Sequence, residues 1–164
     1  MHLAASLNFN KVANTYHQIY IQAVFAVKFR NAVIDKIWRN DLMGVIANLI
    51  NETGCKALIV NGVEDHVHCF FGLIPSVSVS NVMKTCKAKS SKWLNESGLL
   101  PNRFEWQRGF GAFSYSRSSI QNVYRYIQNQ EQHHKKQAFK NEYIELLKEF
   151  EIEYDERYLF DDLI

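Results

Sequence analysis

At 164 residues, with 47% hydrophobic and 13% aromatic content, the chain suffices for one domain with a real core and is short for two. No apolar stretch approaches the roughly 20 residues that a membrane-spanning helix needs, and the opening residues lack the order of a secretory leader, so a cytoplasmic location without a membrane partner is expected. The formal net charge of +2 leaves nucleic acid, a small substrate and a protein partner all possible.

Residues 1–13 show no sustained period and read as a flexible tail, leaving 14–164 as a single catalytic-size domain. Residues 16–27 are rich in β-branched and aromatic side chains with partial alternation and read as a long strand. Residues 35–53 place Ile37, Trp38, Leu42, Val45, Ile46, Leu49 and Ile50 at helical spacing, and Gly54 sits where a stop is expected. Two apolar runs, 56–63 and 66–73, flank Glu64-Asp65 and suggest an antiparallel hairpin that Pro75 ends.

From 78 to about 96, Val79, Val82, Met83, Cys86, Trp93 and Leu94 fall on one side and Lys84, Lys87 and Lys92 on the other. This spacing predicts an amphipathic helix with a basic outer face, which suits a polyanion or is an ordinary solvated face. Gly109 to Tyr115 suggests a loop entering a last strand, after which Ser118 or Ser119 can cap a helix to about His134, and a further helix covers about 141–150. Strand, helix, strand, strand, helix, strand, then helices is an α+β order: the ferredoxin-like split βαβ plan with an antiparallel sheet and C-terminal helical additions. Cys55, Cys69 and Cys86 are odd in number and widely spaced, so they read as reduced structural thiols.

Within the second run of the hairpin, Glu64-Asp65-His66-Val67-His68-Cys69-Phe70-Phe71 puts two imidazoles one residue apart. Side chains alternate across a strand, so His66 and His68 emerge on one face. Burying both without partners would cost roughly 1–3 kcal/mol per unsatisfied group. The pair can hold one metal ion, or it can face solvent or donate to backbone carbonyls.

Two protein ligands are few, and the helix at 119–134 offers two overlapping Tyr-x-x-x-Gln pairs, Tyr124 with Gln128 and Tyr126 with Gln130. Spacing does not choose between them. At about 100° per residue, Ile120, Val123, Tyr124 and Ile127 share an apolar arc, which makes Tyr124 a core residue, while Tyr126, Gln130 and His133 share the polar flank. A phenol, a cation at the imidazoles and a phosphodiester form one chemistry: attack by tyrosine on a phosphate whose oxygens are polarised by metal. The covalent phosphotyrosine keeps the bond energy of the cut strand, so rejoining needs no nucleotide cofactor.

The ordered combination of Asp65-His66-Val67-His68 with Tyr126-Ile127-Gln128-Asn129-Gln130, an opening like Tyr16-His17-Gln18-Ile19-Tyr20, and the stretch from Trp106 to Ser116 resembles the single-tyrosine HUH transposases of small bacterial insertion sequences. The resemblance runs from about Asn14 to Asp161 and implies an HUH endonuclease fold. It implies that His66, His68 and Gln130 bind Mg²⁺ or Mn²⁺ and that Tyr126 is the nucleophile. It also implies cutting of single-stranded DNA to leave a 5′-phosphotyrosine and a free 3′-hydroxyl, recognition of hairpins at element ends, and a homodimer whose tyrosine helix can serve the partner's metal site.

For DNA contacts the sequence offers Lys84, Lys87, Lys92, Arg103, Arg108, Arg117 and Arg125, with Trp93, Trp106 and Phe110 as surfaces for unpaired bases. Two other readings use the same residues: an inactive or domesticated hairpin-binding module, and a water-using hydrolase with zinc and His133 or His134 as extra ligands.

Overall fold

β1 (Tyr20–Ala26) is shorter than the alternation of residues 16–27 implied, because its ladders end at Tyr20, opposite Gly72 on one side and Tyr115 on the other. The structure, a computed structural model, describes residues 15–159, so the expected tail at 1–13 and the last five residues lie outside the described residues.

α1 (Lys36–Glu52) begins where the Asp35 carboxylate accepts the Ile37 N–H at 2.8 Å, and it ends at Thr53 before Gly54 in the left-handed region. β2 (Lys56–Gly62) and β3 (His66–Gly72) form the expected hairpin. A Cβ at Gly62 would stand 2.4 Å from the His66 carbonyl oxygen, so only glycine lets the two strands close there. α2 (Val79–Ser97) is capped by Ser78 and stopped by left-handed Gly98, and β4 (Gly111–Tyr115) follows.

The sheet order is β2-β3-β1-β4 with antiparallel pairs throughout, which is the split βαβ plan expected from the element order. β3 and β1 lie in the middle, with both faces covered. Alternation divides their side chains cleanly. Val67, Cys69 and Phe71 of β3 and Ala23 and Phe25 of β1 join α1 and α2 in the larger core. His66, His68 and Phe70, with Gln22, Val24 and Ala26, face the C-terminal helices. Cys55, Cys69 and Cys86 are free and buried in the first layer, as expected for structural thiols.

The second layer departs from the single helix expected up to His134. A 3₁₀ turn at Arg117–Ser119 leads into α3 (Ile120–Gln128), the chain breaks at Asn129, and α4 (Gln130–Lys136) continues. Neither Ser118 nor Ser119 caps the helix as expected. The Ser119 side chain makes no capping bond, and both hydroxyls instead bond that of Ser116. α5 (Phe139–Glu149) starts two residues before the expected 141, and a short α6 (Glu156–Leu159) follows beyond the last helix expected. Among the described residues no helix is long and apolar enough to cross a membrane.

Candidate metal and tyrosine site

His66 and His68 stand side by side on β3, both fully buried, with ring centroids 5.2 Å apart. Each ring is held from its far nitrogen. His66 Nδ1 lies 2.7 Å from Asp65 Oδ1, and His68 Nδ1 lies 2.9 Å from the Gln22 amide nitrogen, whose carbonyl oxygen accepts the Tyr115 hydroxyl at 2.7 Å. Phe139, at the start of α5, stacks on His66 with centroids 4.0 Å apart. This leaves both Nε2 atoms pointing at the space beneath the helices.

α3 is positioned by a stripe at i, i+3, i+4 and i+7. Val123 and Ile127 pack on Phe70 of the sheet, Tyr126 is half-buried, and Gln130 is fully buried. The Asn61 amide of β2 donates to the Ile127 and Gln128 carbonyls at 2.9 and 3.2 Å, closing the end of the helix. Tyr124, expected in the core, is instead 40% exposed, because the helix buries the stripe running through Tyr126 rather than the arc that contains Tyr124. Four sequence candidates therefore meet in one chain. Gln130 Oε1 is 3.2 Å from His66 Nε2, and the Tyr126 ring lies edge-on to His68 with centroids 5.8 Å apart.

Glu142 of α5 completes the arrangement, and the reading of the sequence missed it. Its Oε2 is 3.4 Å from His66 Nε2 and its Oε1 is 3.4 Å from His68 Nε2. Oε1 also accepts the Tyr126 hydroxyl and, at 3.0 Å, the Gln130 amide. The available clue was an acid in the stripe Phe139, Glu142, Tyr143 and Leu146, whose other members are apolar or aromatic. Buried acids are rare unless paired.

Burial acts to lower the His66 imidazole, but Asp65 and Glu142 overcome it and hold the group at about 9. His68 is pushed below the ordinary imidazole value, chiefly by burial. Burial disfavours the Glu142 carboxylate, yet the two imidazoles outweigh it and hold the acid well below the usual range. Tyr126 is raised far above an ordinary phenol by burial first and by the Glu142 charge second, so its hydroxyl stays protonated.

The donor set fits a metal ion. One ligand atom from each of His66, His68 and Glu142 lies within 4.8 Å of the others, and His68 Nε2 and Glu142 Oε2 are buried without a hydrogen-bond partner among the described residues. A buried nitrogen and a buried carboxylate oxygen left unpaired beside one another are what a cation between them would satisfy. A cavity of about 490 Å³ opens beside Tyr126, lined also by His133, Asn122, Glu145 and Glu149.

The basic candidates lie apart from this point. Lys84, Lys87 and Lys92 sit on α2, in the layer across the sheet. Lys84 is exposed, but the Lys87 ammonium is half-buried and donates to the Gln107 and Gly109 carbonyls, both at 2.6 Å. Lys92 pairs with Glu96 at 3.8 Å and Arg103 with Glu105 at 3.6 Å. Arg108, Arg117 and Arg125 are exposed, the last two beside α3 and the first at a cavity that it lines with Phe139 and Tyr143 of α5. Trp106, a candidate stacking surface, belongs instead to the core: it packs edge-on against Phe25 and Phe104 and donates to Ser90 Oγ at 2.9 Å. Trp93 is half-buried against that core, and Phe110 is 36% exposed. His133 and His134 do not join the Glu142 point. His133 packs on Tyr126, and His134 Nε2 lies 3.5 Å from Glu64 Oε2.

An antiparallel four-stranded sheet with paired imidazoles on an inner strand, beneath helices that bring up a tyrosine, is the architecture of the HUH single-tyrosine transposases. Residues 15–130 match the sequence model of the family described as "Transposase IS200 like", and the chain belongs to that family. Two solved structures share the fold. One, assigned as a transposase of Deinococcus radiodurans R1, is 17% identical with a TM-score of 0.60, covering 74% of this chain and 98% of its own. The other, a REP-associated tyrosine transposase bound to a REP hairpin, is 13% identical with a TM-score of 0.56, covering 77% of this chain and 74% of its own. No curated protein sequence matches the chain significantly.

Proposed function

We propose that this chain cuts and rejoins single-stranded DNA through a 5′-phosphotyrosine at Tyr126, with Mg²⁺ or Mn²⁺ held by His66, His68 and Gln130. The observation that carries the reading is that the Tyr126 hydroxyl and both Nε2 atoms converge on a single carboxylate within one chain. Family membership supports a role in DNA transposition, and the hairpin bound by the REP-associated relative supports a hairpin as the recognised element.

A bound divalent ion would polarise the phosphate oxygens and offset the Glu142 charge that keeps the phenol protonated. Tyr126 Oη forms the bond to phosphorus while the bond to the 3′ oxygen breaks. The phenol passes its proton along its hydrogen bond to Glu142 as the bond to phosphorus forms, and Glu142, directly or through water, returns that proton to the departing 3′ oxygen. His66 and His68 are oriented for their part by Asp65 and Gln22, and Gln130 turns its carbonyl toward His66 while its nitrogen steadies Glu142. Reversal with a new 3′-hydroxyl restores the free tyrosine. Arg117 and Arg125, beside α3, are the cations proposed to hold the strand, with Lys84, Lys92, Arg103 and Arg108 as further candidates. A second copy of the chain is the other proposed partner. That one chain unites all four groups supports a site formed without exchange of the tyrosine helix between copies.

The test is incubation with Mn²⁺ and a hairpin-bearing single strand, read as protein-linked DNA on a denaturing gel. Wild type and Tyr124→Phe form the adduct and Tyr126→Phe does not. Adduct formation undiminished in Tyr126→Phe would overturn the assignment. Hairpin binding without cleavage under any divalent ion would point to a binding module, and cleavage without a protein-linked product to water as the nucleophile.

A further inference from the structure

We infer that Glu142 is itself a ligand of the ion at His66 and His68, so that α5 closes the metal site; this rests on the proposal that those imidazoles hold one. Its position is not carried over from the family. The matched segment ends at 130, and Glu142 stands beyond it on a separate helix.

Spacing is the first argument. Donors about 2.0–2.2 Å from a common ion lie roughly 2.8–3.1 Å apart at the right angles of an octahedral site and roughly 3.3–3.6 Å apart in a tetrahedral one. The observed separations are 3.2 Å for Gln130 Oε1 to His66 Nε2 and 3.4 Å for each Glu142 oxygen to its imidazole nitrogen. Unspent valence is the second. Oε1 is already used by Tyr126 and Gln130, whereas Oε2 faces His66 at 3.4 Å and, like His68 Nε2, has no hydrogen-bond partner among the described residues. Placement is the third, because Phe139, one turn before Glu142, stacks on His66 and fixes that face of α5 over the site.

The resulting donors are two imidazoles, one carboxylate and one amide oxygen. Such a mixed set favours Mn²⁺ over Mg²⁺, which prefers oxygen donors and retains its water. It also makes the ion a tie between the sheet and a helix that otherwise reaches the site through Phe139 and the bonds to Glu142. Ion binding is therefore expected to steady α5 itself.

Two measurements on the full chain test this. Mn²⁺ titration by calorimetry is expected to show binding to wild type weakened at least tenfold in Glu142→Gln, with Mn²⁺ slowing amide exchange across Phe139–Glu149 in wild type. Equal Mn²⁺ affinity in the two proteins overturns the inference, and faster adduct formation by the variant would then mark Glu142 as an obstruction standing where phosphate must enter. Wild-type exchange in α5 unchanged by Mn²⁺ overturns it without reference to any variant. Wild type that binds no divalent ion removes the parent proposal as well, a result distinct from loss of Glu142's part alone.

Discussion

The Gln22 amide meets His68 Nδ1 at 2.9 Å and is itself held by the Tyr115 hydroxyl, a chain of contacts that crosses from β4 through β1 to β3. Metal ligation through Nε2 requires the His68 proton on Nδ1. In the orientation seen, the Gln22 nitrogen donates to Nδ1 and its oxygen accepts from Tyr115, so metal ligation calls for the amide to turn over, its oxygen then accepting from Nδ1 and its nitrogen donating to Tyr115. The Tyr115 hydroxyl stays protonated, since burial pushes it up to about 12. Replacing Gln22 with Leu is expected to lower Mn²⁺ affinity roughly 10–100-fold with the fold retained. Calorimetry beside a circular dichroism spectrum checks both, and unchanged affinity would show that the ring is oriented without it.

Metal-free protein is expected to lose stability toward alkaline pH. The folded-state value of about 9 for His66 exceeds the unfolded value of 6.5 because the Asp65 and Glu142 contacts outweigh burial. The proton therefore favours the folded state: its contribution is complete below pH 6.5 and lost as pH rises to about 9. At 1.36 kcal/mol per unit the loss is on the order of 3 kcal/mol. Glu142 acts in the opposite direction, since its depressed value supports the fold above the ordinary carboxylate range and is lost only in acid. Urea unfolding in EDTA from pH 6 to 9.5 measures the alkaline arm, and a midpoint independent of pH would contradict it.

Lys84 and Lys87 are expected to behave differently although both belong to the basic stretch of α2. Lys87 donates to two carbonyls of the loop before β4, and burial lowers its ammonium below the ordinary value. Lys87→Ala leaves those acceptors unpaired and should cost about 1–3 kcal/mol of folding stability. Lys84→Ala, at an exposed position, should stay within about 0.5 kcal/mol. Denaturant melts of the two variants decide this, and equal stabilities would return Lys87 to the surface role its spacing suggested.

The element order and the facing of His66 and His68 were legible because they rest on short-range rules: period-two alternation in β3, helical spacing from 35 and from 78, and Gly54 at a helix end. Tyr126 and Gln130 were singled out by helical angle and resemblance, but burial of the stripe that holds them was hidden, because tyrosine and glutamine do not count as apolar. The break at Asn129 has no glycine or proline to announce it. It follows from Asn61 closing α3 from another strand, a tertiary cause. Glu142 was hidden for a related reason. Its meaning depends on where α5 lands, and nothing local in that helix records the two imidazoles beneath it.

Cys55, Cys69 and Cys86 sit together in the layer away from the tyrosine, and burial holds Cys86 up at about 12 and Cys69 well above an ordinary thiol. Thiolate is the form that alkylating reagents and peroxide attack, so Cys69 and Cys86 are chemically silent in the folded molecule, and Cys55 is shielded by its burial. Each becomes reactive only when the first layer opens. The rate at which a maleimide consumes them is thus an internal clock for excursions out of the native state, and it runs independently of any chemistry at the phenol.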